Sequence, residues 1–168
     1  TKILMVKQLV ISKVDYCNAL YMNLPQVRVK KLGSILNSCI RYIYTIKDRR
    51  VDLIPYYKKA HILTIKQRVY FKVCLLSYKV VYDLAPDYLK DLIEMDTHGS
   101  QYYTRGKPAG DNLRMKLPKL IKTKASERRF SVYAPEAWNS LPFDIRSIVN
   151  IERFKKDLKT HLFGSIGN

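Results

Sequence analysis

The stretch that decides the predicted fold is Phe130-Ser-Val-Tyr-Ala-Pro-Glu-Ala-Trp-Asn-Ser-Leu-Pro142, followed by Phe154-Lys-Lys-Asp-Leu-Lys-Thr-His-Leu-Phe163. It holds the only tryptophan of the chain, Trp138, between Pro135 and Pro142. Because proline fixes φ and has no N–H to donate, each proline predicts a turn or a helix boundary. The pattern therefore predicts a rigid corner, in which a strand over residues 130–133 leads through a turn into one helical turn anchored by Trp138.

The predicted last helix, residues 151–163, begins after the capping residue Asn150 and turns Phe154, Leu158 and Leu162 toward the core. We expect this apolar face to bury the ring of Trp138. Working toward the N-terminus, apolar periodicity predicts four more helices. They cover residues 2–23, Gln26–Tyr44, residues 65–84 and residues 87–95.

The second of these helices, Gln26–Tyr44, is predicted to be amphipathic. Its apolar side chains, predicted to face inward, are Val29, Leu32, Leu36, Cys39, Ile40 and Ile43. Its basic side chains, predicted to face outward, are Arg28, Lys30, Lys31 and Arg41.

The middle of the chain differs in composition from both flanks. Residues 97–129 contain 9 basic and 2 acidic residues together with several glycines and prolines, which predicts a basic loop. Alternation over residues 113–117 predicts one short strand with Arg114 and Lys116 on its solvent face, paired with residues 130–133. The sequence therefore predicts a mainly α-helical fold with a small β-containing C-terminal lobe. Its predicted parts are residues 1–96, 97–129 and 130–168.

The net charge of the chain is its strongest functional signal. With 31 Lys and Arg against 14 Asp and Glu, the net charge is +17, although 47% of the residues are hydrophobic and predict a folded core. A compact fold is destabilised by such an excess, so we expect a polyanionic partner. Every long apolar run contains a lysine, so we expect no membrane partner and no membrane span. The three cysteines, at positions 17, 39 and 74, predict reduced, buried thiols of an intracellular protein.

Five sequence blocks, in this order, resemble the region that follows the polymerase core in LINE-type, jockey-like non-LTR retrotransposon reverse transcriptases. Within them, the residues that match the family's structural motifs are Asp15, Tyr16, Cys17, Asn18, Ala134, Pro135, Trp138, Asn139 and Pro142. The blocks are Leu9-Val-Ile-Ser-Lys-Val-Asp-Tyr-Cys-Asn-Ala-Leu20, the basic helix with Asn37 and Arg41, His61 with Arg68-Val-Tyr-Phe-Lys72, Ala85-Pro86-Asp87-Tyr88-Leu89, and the Trp138 corner with its closing helix.

The resemblance implies a fold and a function. It implies that the helical part is a thumb-like bundle, and that the whole enzyme is an RNA-directed DNA polymerase that copies its own RNA at a nicked target site. The partners it implies are template RNA, the RNA–DNA hybrid or target DNA, and the upstream polymerase domain of the same polypeptide. It also implies an intracellular ribonucleoprotein, nuclear or cytoplasmic.

Catalysis is not expected from this chain alone. A polymerase palm holds two metal ions with neighbouring carboxylates, and the sequence contains no Asp-Asp pair. The three histidines lack ligand spacing with one another or with cysteine, so we expect no metal site and no cofactor here. By the resemblance, Mg²⁺ belongs to the upstream polymerase core.

Lysine and arginine neutralise phosphates, and aromatic rings stack on unpaired bases. Tyr42, Tyr44, Tyr70 and Tyr78 are expected to pack at the edge of the core instead. The predicted nucleic-acid-binding residues are Tyr102, Tyr103, Arg105, Lys107, Arg114, Lys116, Lys119, Lys122, Lys124, Arg128, Arg129, Arg28, Lys30, Lys31 and Arg41.

Three other functions remain open from the sequence. The chain is alternatively a transposon-derived protein-interaction module, or an inert relic within a host gene that retains only its fold. A weaker alternative is an amphipathic membrane-surface binder, which lacks a matching exposed apolar face.

Overall fold

A computed structural model describes residues 1–96, 112–118 and 129–165, and these are mainly helical, as predicted. The α-helices are α1 (Lys2–Val6), α2 (Ser12–Asp15), α3 (Gln26–Tyr44), α4 (Ile54–Ala60), α5 (Ile65–Val81), α6 (Asp87–Lys90), α7 (Phe130–Asn139), α8 (Phe143–Arg146) and α9 (Ile151–Gly164).

The chain forms two compact units. Unit 1 consists of Thr1–Lys72 and Lys159–Asn168, and unit 2 consists of Val73–Leu158. The division into residues 1–96, 97–129 and 130–168 was drawn from charge and composition, and it stays a prediction.

The N-terminal segment of unit 1 is helical but irregular. Between α1 and α2 the chain forms a π-turn, Lys7–Ile11, which brings Val6 and Ile11 to buried positions. The single helix predicted over residues 2–23 is wrong, because the helix ends at Asp15. Cys17 then adopts a left-handed conformation with φ 50°, and the short 3₁₀ helix Asn18–Tyr21 follows.

The cysteines do not share one environment. All three are free thiols, but Cys17 is exposed, Cys39 is half-buried and only Cys74 is buried. The prediction of three buried thiols is therefore wrong for Cys17, because the helix that would have turned it inward ends two residues earlier.

Helix α3 has the predicted bounds. Pro25 immediately precedes it and cannot continue a helix backward, and the chain leaves it through Thr45, a left-handed residue with φ 58°. Leu36 and Ile40 are buried at i and i+4. The predicted inward face is confirmed at its centre.

The corner in unit 2 is helical from Phe130 to Asn139. Residues 130–133, predicted as a strand, form the start of α7, and Pro135 lies inside that helix. Proline within a helix costs about 3 kcal/mol. Burial of Tyr133, Ala134, Ala137 and Trp138, which share one helical face, offsets that cost. Packing here overrides the local preference of proline.

The predicted strand over residues 113–117 has a different partner and a smaller extent. Met115 forms an isolated antiparallel bridge with Met95, supported by bonds from Asp96 N to Arg114 O (2.9 Å) and from Lys116 N to Glu94 O (2.8 Å). Helix α6 accordingly ends at Lys90 rather than at residue 95. Within the described residues, this bridge is the whole of the β structure, and the predicted β lobe is not seen.

The C-terminal helix and its contact with tryptophan agree with the prediction. Asn150 Oδ1 accepts hydrogen bonds from the N–H groups of Glu152 and Arg153, both at 3.0 Å, and caps α9. In unit 2 the Trp138 ring is buried with its centroid 6.0 Å from that of Phe154. Its Nε1 donates to Leu113 O at 2.6 Å, which satisfies the buried indole.

Candidate nucleic-acid interface

The positive charge is concentrated in unit 1. This unit contains 16 Lys and Arg but only 3 Asp and Glu, for a net charge of +13. Unit 2 contains 15 basic and 11 acidic residues, for a net charge of +4. Most of the excess charge of the chain therefore belongs to one compact unit.

All three carboxylates of unit 1 have local partners. Asp15 accepts from Arg68 at 3.0 Å, and this is the single ion pair in the described part of unit 1. Asp48 Oδ1 accepts from the N–H of Arg50 at 2.9 Å, and Asp52 Oδ1 accepts from the N–H of Ile54 at 3.0 Å. In the described part of unit 1, Arg68 is therefore the one cation with a carboxylate within ion-pair distance.

Unit 2 is electrostatically different, because four cations of its described part are paired with carboxylates. Lys90 contacts Asp83 and Asp87, and the other pairs found there join Lys116 to Glu94, Arg153 to Asp157 and Lys155 to Glu152. Such exposed pairs add little stability. Their importance here is that they reduce the local field that a polyanion would experience.

The predicted contact residues of α3 divide into two groups. Arg28, Lys30 and Lys31 are exposed in its first two turns. Arg41, in its last turn, is half-buried, and its guanidinium donates to the carbonyls of Asp48 and Arg49, the latter at 2.9 Å. Arg41 therefore holds the loop that follows α3, while the other three present free cationic ends to solvent.

The basic middle of the chain lies mostly outside the described residues. Arg114 is half-buried, Lys116 is exposed but bonded to Glu94, and Arg129 is exposed just before α7. The hydrogen bond to Glu94 raises the pKa of Lys116. The remaining predicted contacts, which lie outside the described residues, are Tyr102, Tyr103, Arg105, Lys107, Lys119, Lys122, Lys124 and Arg128.

The residues that carry the resemblance have structural positions. Asp15 accepts from Asn18 Nδ2 at 3.1 Å as well as from Arg68, which fixes the turn around Tyr16 and Cys17. In unit 2, Asn139 exchanges two hydrogen bonds with Met115, from Met115 N at 3.0 Å and to Met115 O at 2.7 Å. Ala134, Pro135 and Trp138 are buried, whereas Pro142 is exposed before α8.

Lys159 lies in the field of two other cations of unit 1. Burial lowers the pKa of Lys159, and the charges of Lys7 and Arg68 lower it further. The Lys159 ammonium also lies 5.8 Å from the centroid of the Phe163 ring. Such a concentration of positive charge favours the binding of an anion.

Two segments that mix aromatic and basic residues, 41–44 and 56–59, meet in unit 1; the sequence indicated each segment but not their contact. The rings of Tyr44 and Tyr56 lie 5.1 Å apart, and the Lys59 ammonium lies 5.7 Å from the Tyr44 ring. Tyr42 is exposed, with the Lys2 ammonium 5.2 Å from its ring. The available signal was the recurrence of tyrosine beside lysine or arginine in residues 41–44 and 56–59.

Unit 1 also contains an open cavity of about 480 Å³, which no sequence motif indicated. Residues from four separate segments line it: Tyr21–Leu24, the first turn of α3, the first turns of α5, and the end of α9. No aspartate or glutamate is among the described residues that line it. Such a cavity arises only from the tertiary fold, so the linear sequence could not show it.

Two classes of feature are not found in the part of the chain that the structure describes. Residues 1–96, 112–118 and 129–165 contain no group of three His, Cys, Asp or Glu able to hold a metal ion. Within the same residues, no helix is long and apolar enough to span a bilayer. Comparison of the chain with protein-family models, with curated proteins and with solved structures gave no match.

Proposed function

We propose that this chain is the nucleic-acid-binding C-terminal portion of a LINE-type retrotransposon reverse transcriptase. In this role it grips template RNA, the RNA–DNA hybrid or target DNA during target-primed reverse transcription. The chemistry belongs to an upstream polymerase domain of the same polypeptide, which also holds Mg²⁺. The protein would act inside the cell as part of a ribonucleoprotein.

One structural observation carries this proposal: unit 1 has 16 basic residues against 3 carboxylates, and among its described residues a single ion pair, Arg68 with Asp15, joins a cation to a carboxylate. Cations without carboxylate partners release counterions from a phosphate backbone when they bind it, which provides most of the affinity of non-specific nucleic-acid binding. Arg28, Lys30 and Lys31 supply three such cations on one exposed stretch of helix. The order of the resembling sequence blocks supports the assignment to reverse transcriptases.

The first experiment measures how affinity depends on salt. Fluorescence anisotropy with a 20-mer RNA, the matching single-stranded DNA and the hybrid should give log K falling by about 0.7–0.9 per phosphate neutralised for each unit of log[salt]. We expect a slope corresponding to several phosphates. Absence of binding at low salt, or a slope near zero, would overturn the proposal.

Charge neutralisation then locates the interface. The combined variant Arg28→Gln, Lys30→Gln and Lys31→Gln should weaken binding and reduce the salt slope by about 2–3. Its matched control removes three ion-paired cations from unit 2: Lys90→Gln, Arg153→Gln and Lys155→Gln. Both variants lose three positive charges, so an equal effect would mean that net charge alone drives binding.

A protein-interaction role is the second candidate, favoured by exposed apolar side chains on the N-terminal segment. Leu4, Met5 and Leu9 are all exposed there. Clusters of exposed apolar residues often mark docking surfaces. This function would be favoured if the chain binds no oligonucleotide but sediments as an oligomer. The double substitution Leu4→Gln and Leu9→Gln should then make it monomeric.

A further inference from the structure

The cavity of unit 1 combines apolar walls with a small polar rim. Met22, Val29 and Val69 contribute apolar surface, and the rings of Tyr21 and Tyr70 are half-buried against it. Its volume of about 480 Å³ falls within the usual range for small-molecule sites, about 300–1,000 Å³. Its walls therefore suit a largely apolar group of small-molecule size.

The polar rim contains groups that can form hydrogen bonds with the edge of such a group. Gln26 and His161 are exposed where they line the cavity. The amide of Gln67 already has partners within the protein: its Nε2 donates to Leu162 O at 2.7 Å, and its Oε1 accepts from Thr64. This bond between Gln67 and Leu162 fixes one wall of the cavity.

The charge around the cavity favours an occupant attached to an anionic backbone. Lys66 lines the cavity and is exposed, and Arg28 is exposed in the first turn of α3 beside the lining residue Val29. No acidic residue lies among the described lining residues. An apolar peptide side chain would fill the walls but would not use these cations.

We infer that the cavity receives one unpaired nucleobase from a single strand bound to unit 1, with the flanking phosphates facing Lys66 and Arg28. The inference rests on the proposed nucleic-acid-binding function and names the site and the ligand class within it. The base stacks on a tyrosine ring and hydrogen-bonds through its edge to the rim, which is how proteins hold splayed-out bases.

The direct test uses a single strand of about 12 nucleotides containing one 2-aminopurine, prepared as RNA and as DNA. Insertion of the base should change its fluorescence on binding. Val29→Phe fills the cavity and should abolish that change while lowering affinity for the intact strand about tenfold or more, the scale of one lost stacking contact. The RNA and DNA strands show which backbone the site accepts.

The matched control is Val27→Phe, the same substitution two residues earlier on α3 at an exposed position that does not line the cavity. It should leave both affinity and fluorescence unchanged. A strand with an abasic site should bind the parent and Val29→Phe equally. If Val29→Phe weakens intact and abasic strands alike, or if Val27→Phe has the same effect, the cavity is not a base site.

A second measurement covers the case in which Val29→Phe does not fold. Adenosine or uridine added at millimolar concentration to the unmodified chain should shift the ring-proton NMR signals of His161, but not those of Tyr88, which is exposed in unit 2 and does not line the cavity. No shift would overturn the inference. If strands bind with a steep salt slope but without base dependence, only this inference fails; if no strand binds, the proposed function fails.

Discussion

Arg68 Nη2 lies 3.0 Å from Asp15 Oδ2, so an ion pair joins the end of α2 to the first turns of α5 within unit 1. The same carboxylate accepts from Asn18 Nδ2 at 3.1 Å. Burial lowers the pKa of Arg68. The charge of Asp15 opposes that shift, and Tyr57 opposes it to a smaller extent. The carboxylate thus stabilises a guanidinium that the fold places out of water.

We expect Asp15→Ala to lower the free energy of unfolding by about 2 kcal/mol, because it leaves a largely buried charge and a turn without their acceptor. The cost stays below that of a fully buried pair because Asp15 is partly exposed. Urea unfolding followed by circular dichroism measures it. The neighbouring Tyr16→Ala is the control, since Tyr16 is 77% exposed and should change stability by less than about 0.5 kcal/mol. Equal effects of the two substitutions would show that the ion pair is not stabilising.

Trp138→Ala should lower stability by about 3–5 kcal/mol, since the ring is buried and its Nε1 bonds to Leu113 O. Denaturant titration measures the loss, with Tyr88→Ala, at a 72% exposed position of unit 2, as the control. Oligonucleotide affinity of the folded fraction should hardly change. If the variant unfolds like the parent but no longer binds single strands, the indole would be a stacking surface instead.

Alkaline pH should destabilise the chain through Tyr57. Burial raises the pKa of Tyr57, with a smaller contribution from Cys39, while Arg68 lowers it. A raised folded-state pKa means that the neutral phenol is favoured in the fold, so stability is retained below the unfolded-state value of about 10 and falls as pH rises above it. Tyr57→Phe should make that fall shallower.

The measurement for Tyr57 is the melting temperature at a series of pH values from 7 to 11. At neutral pH, Tyr57→Phe should cost about 1 kcal/mol, because the bond from its hydroxyl to Asn37 Oδ1 at 2.8 Å is lost. Tyr16→Phe, at an exposed position, serves as the control. If the alkaline loss is as steep in Tyr57→Phe as in the parent, the loss must come from other groups.

The π-turn Lys7–Ile11 should tolerate a deletion that a regular helix does not. A π-turn holds one extra residue per turn, so deleting the exposed Leu9 converts it to α-helix and keeps Val6 and Ile11 on one face. We expect stability to change by less than about 1 kcal/mol. Deleting the exposed Ser38 within α3 rotates everything beyond it by about 100° and should abolish cooperative folding. Comparable melting curves for the two deletions would contradict this explanation.

The helices with clear boundary residues were predictable from the sequence. Pro25 and Asn150 mark the starts of α3 and α9, and their apolar spacing indicates the buried faces. Helix α7 was not predictable by the same reasoning, because the local preference of Pro135 disfavours a helix. Burial of the face that contains Trp138 outweighs this preference, and that burial is seen only in the folded structure. The Met95 and Met115 bridge was also missed, since strand pairing depends on which segments the fold brings together.

The candidate site shows the same limit. Exposure of Arg28, Lys30 and Lys31 follows from helical periodicity and was predicted. The net charge of unit 1 was not predicted, because this unit joins residues 1–72 to residues 159–168 and leaves out the acidic segments between them. The cavity likewise depends on four segments that are distant in sequence.

The uncompensated charge of unit 1 has a consequence for the lifetime of the protein. Folding brings its cations close together, so any polyanion that binds the folded state also shifts the folding equilibrium. Under the proposed function, a ligand at 100 times its Kd would add about 2.7 kcal/mol, a large share of the stability of a typical domain. Copies without nucleic acid would then unfold more often and be degraded sooner, which would match the amount of protein to the amount of nucleic acid it serves.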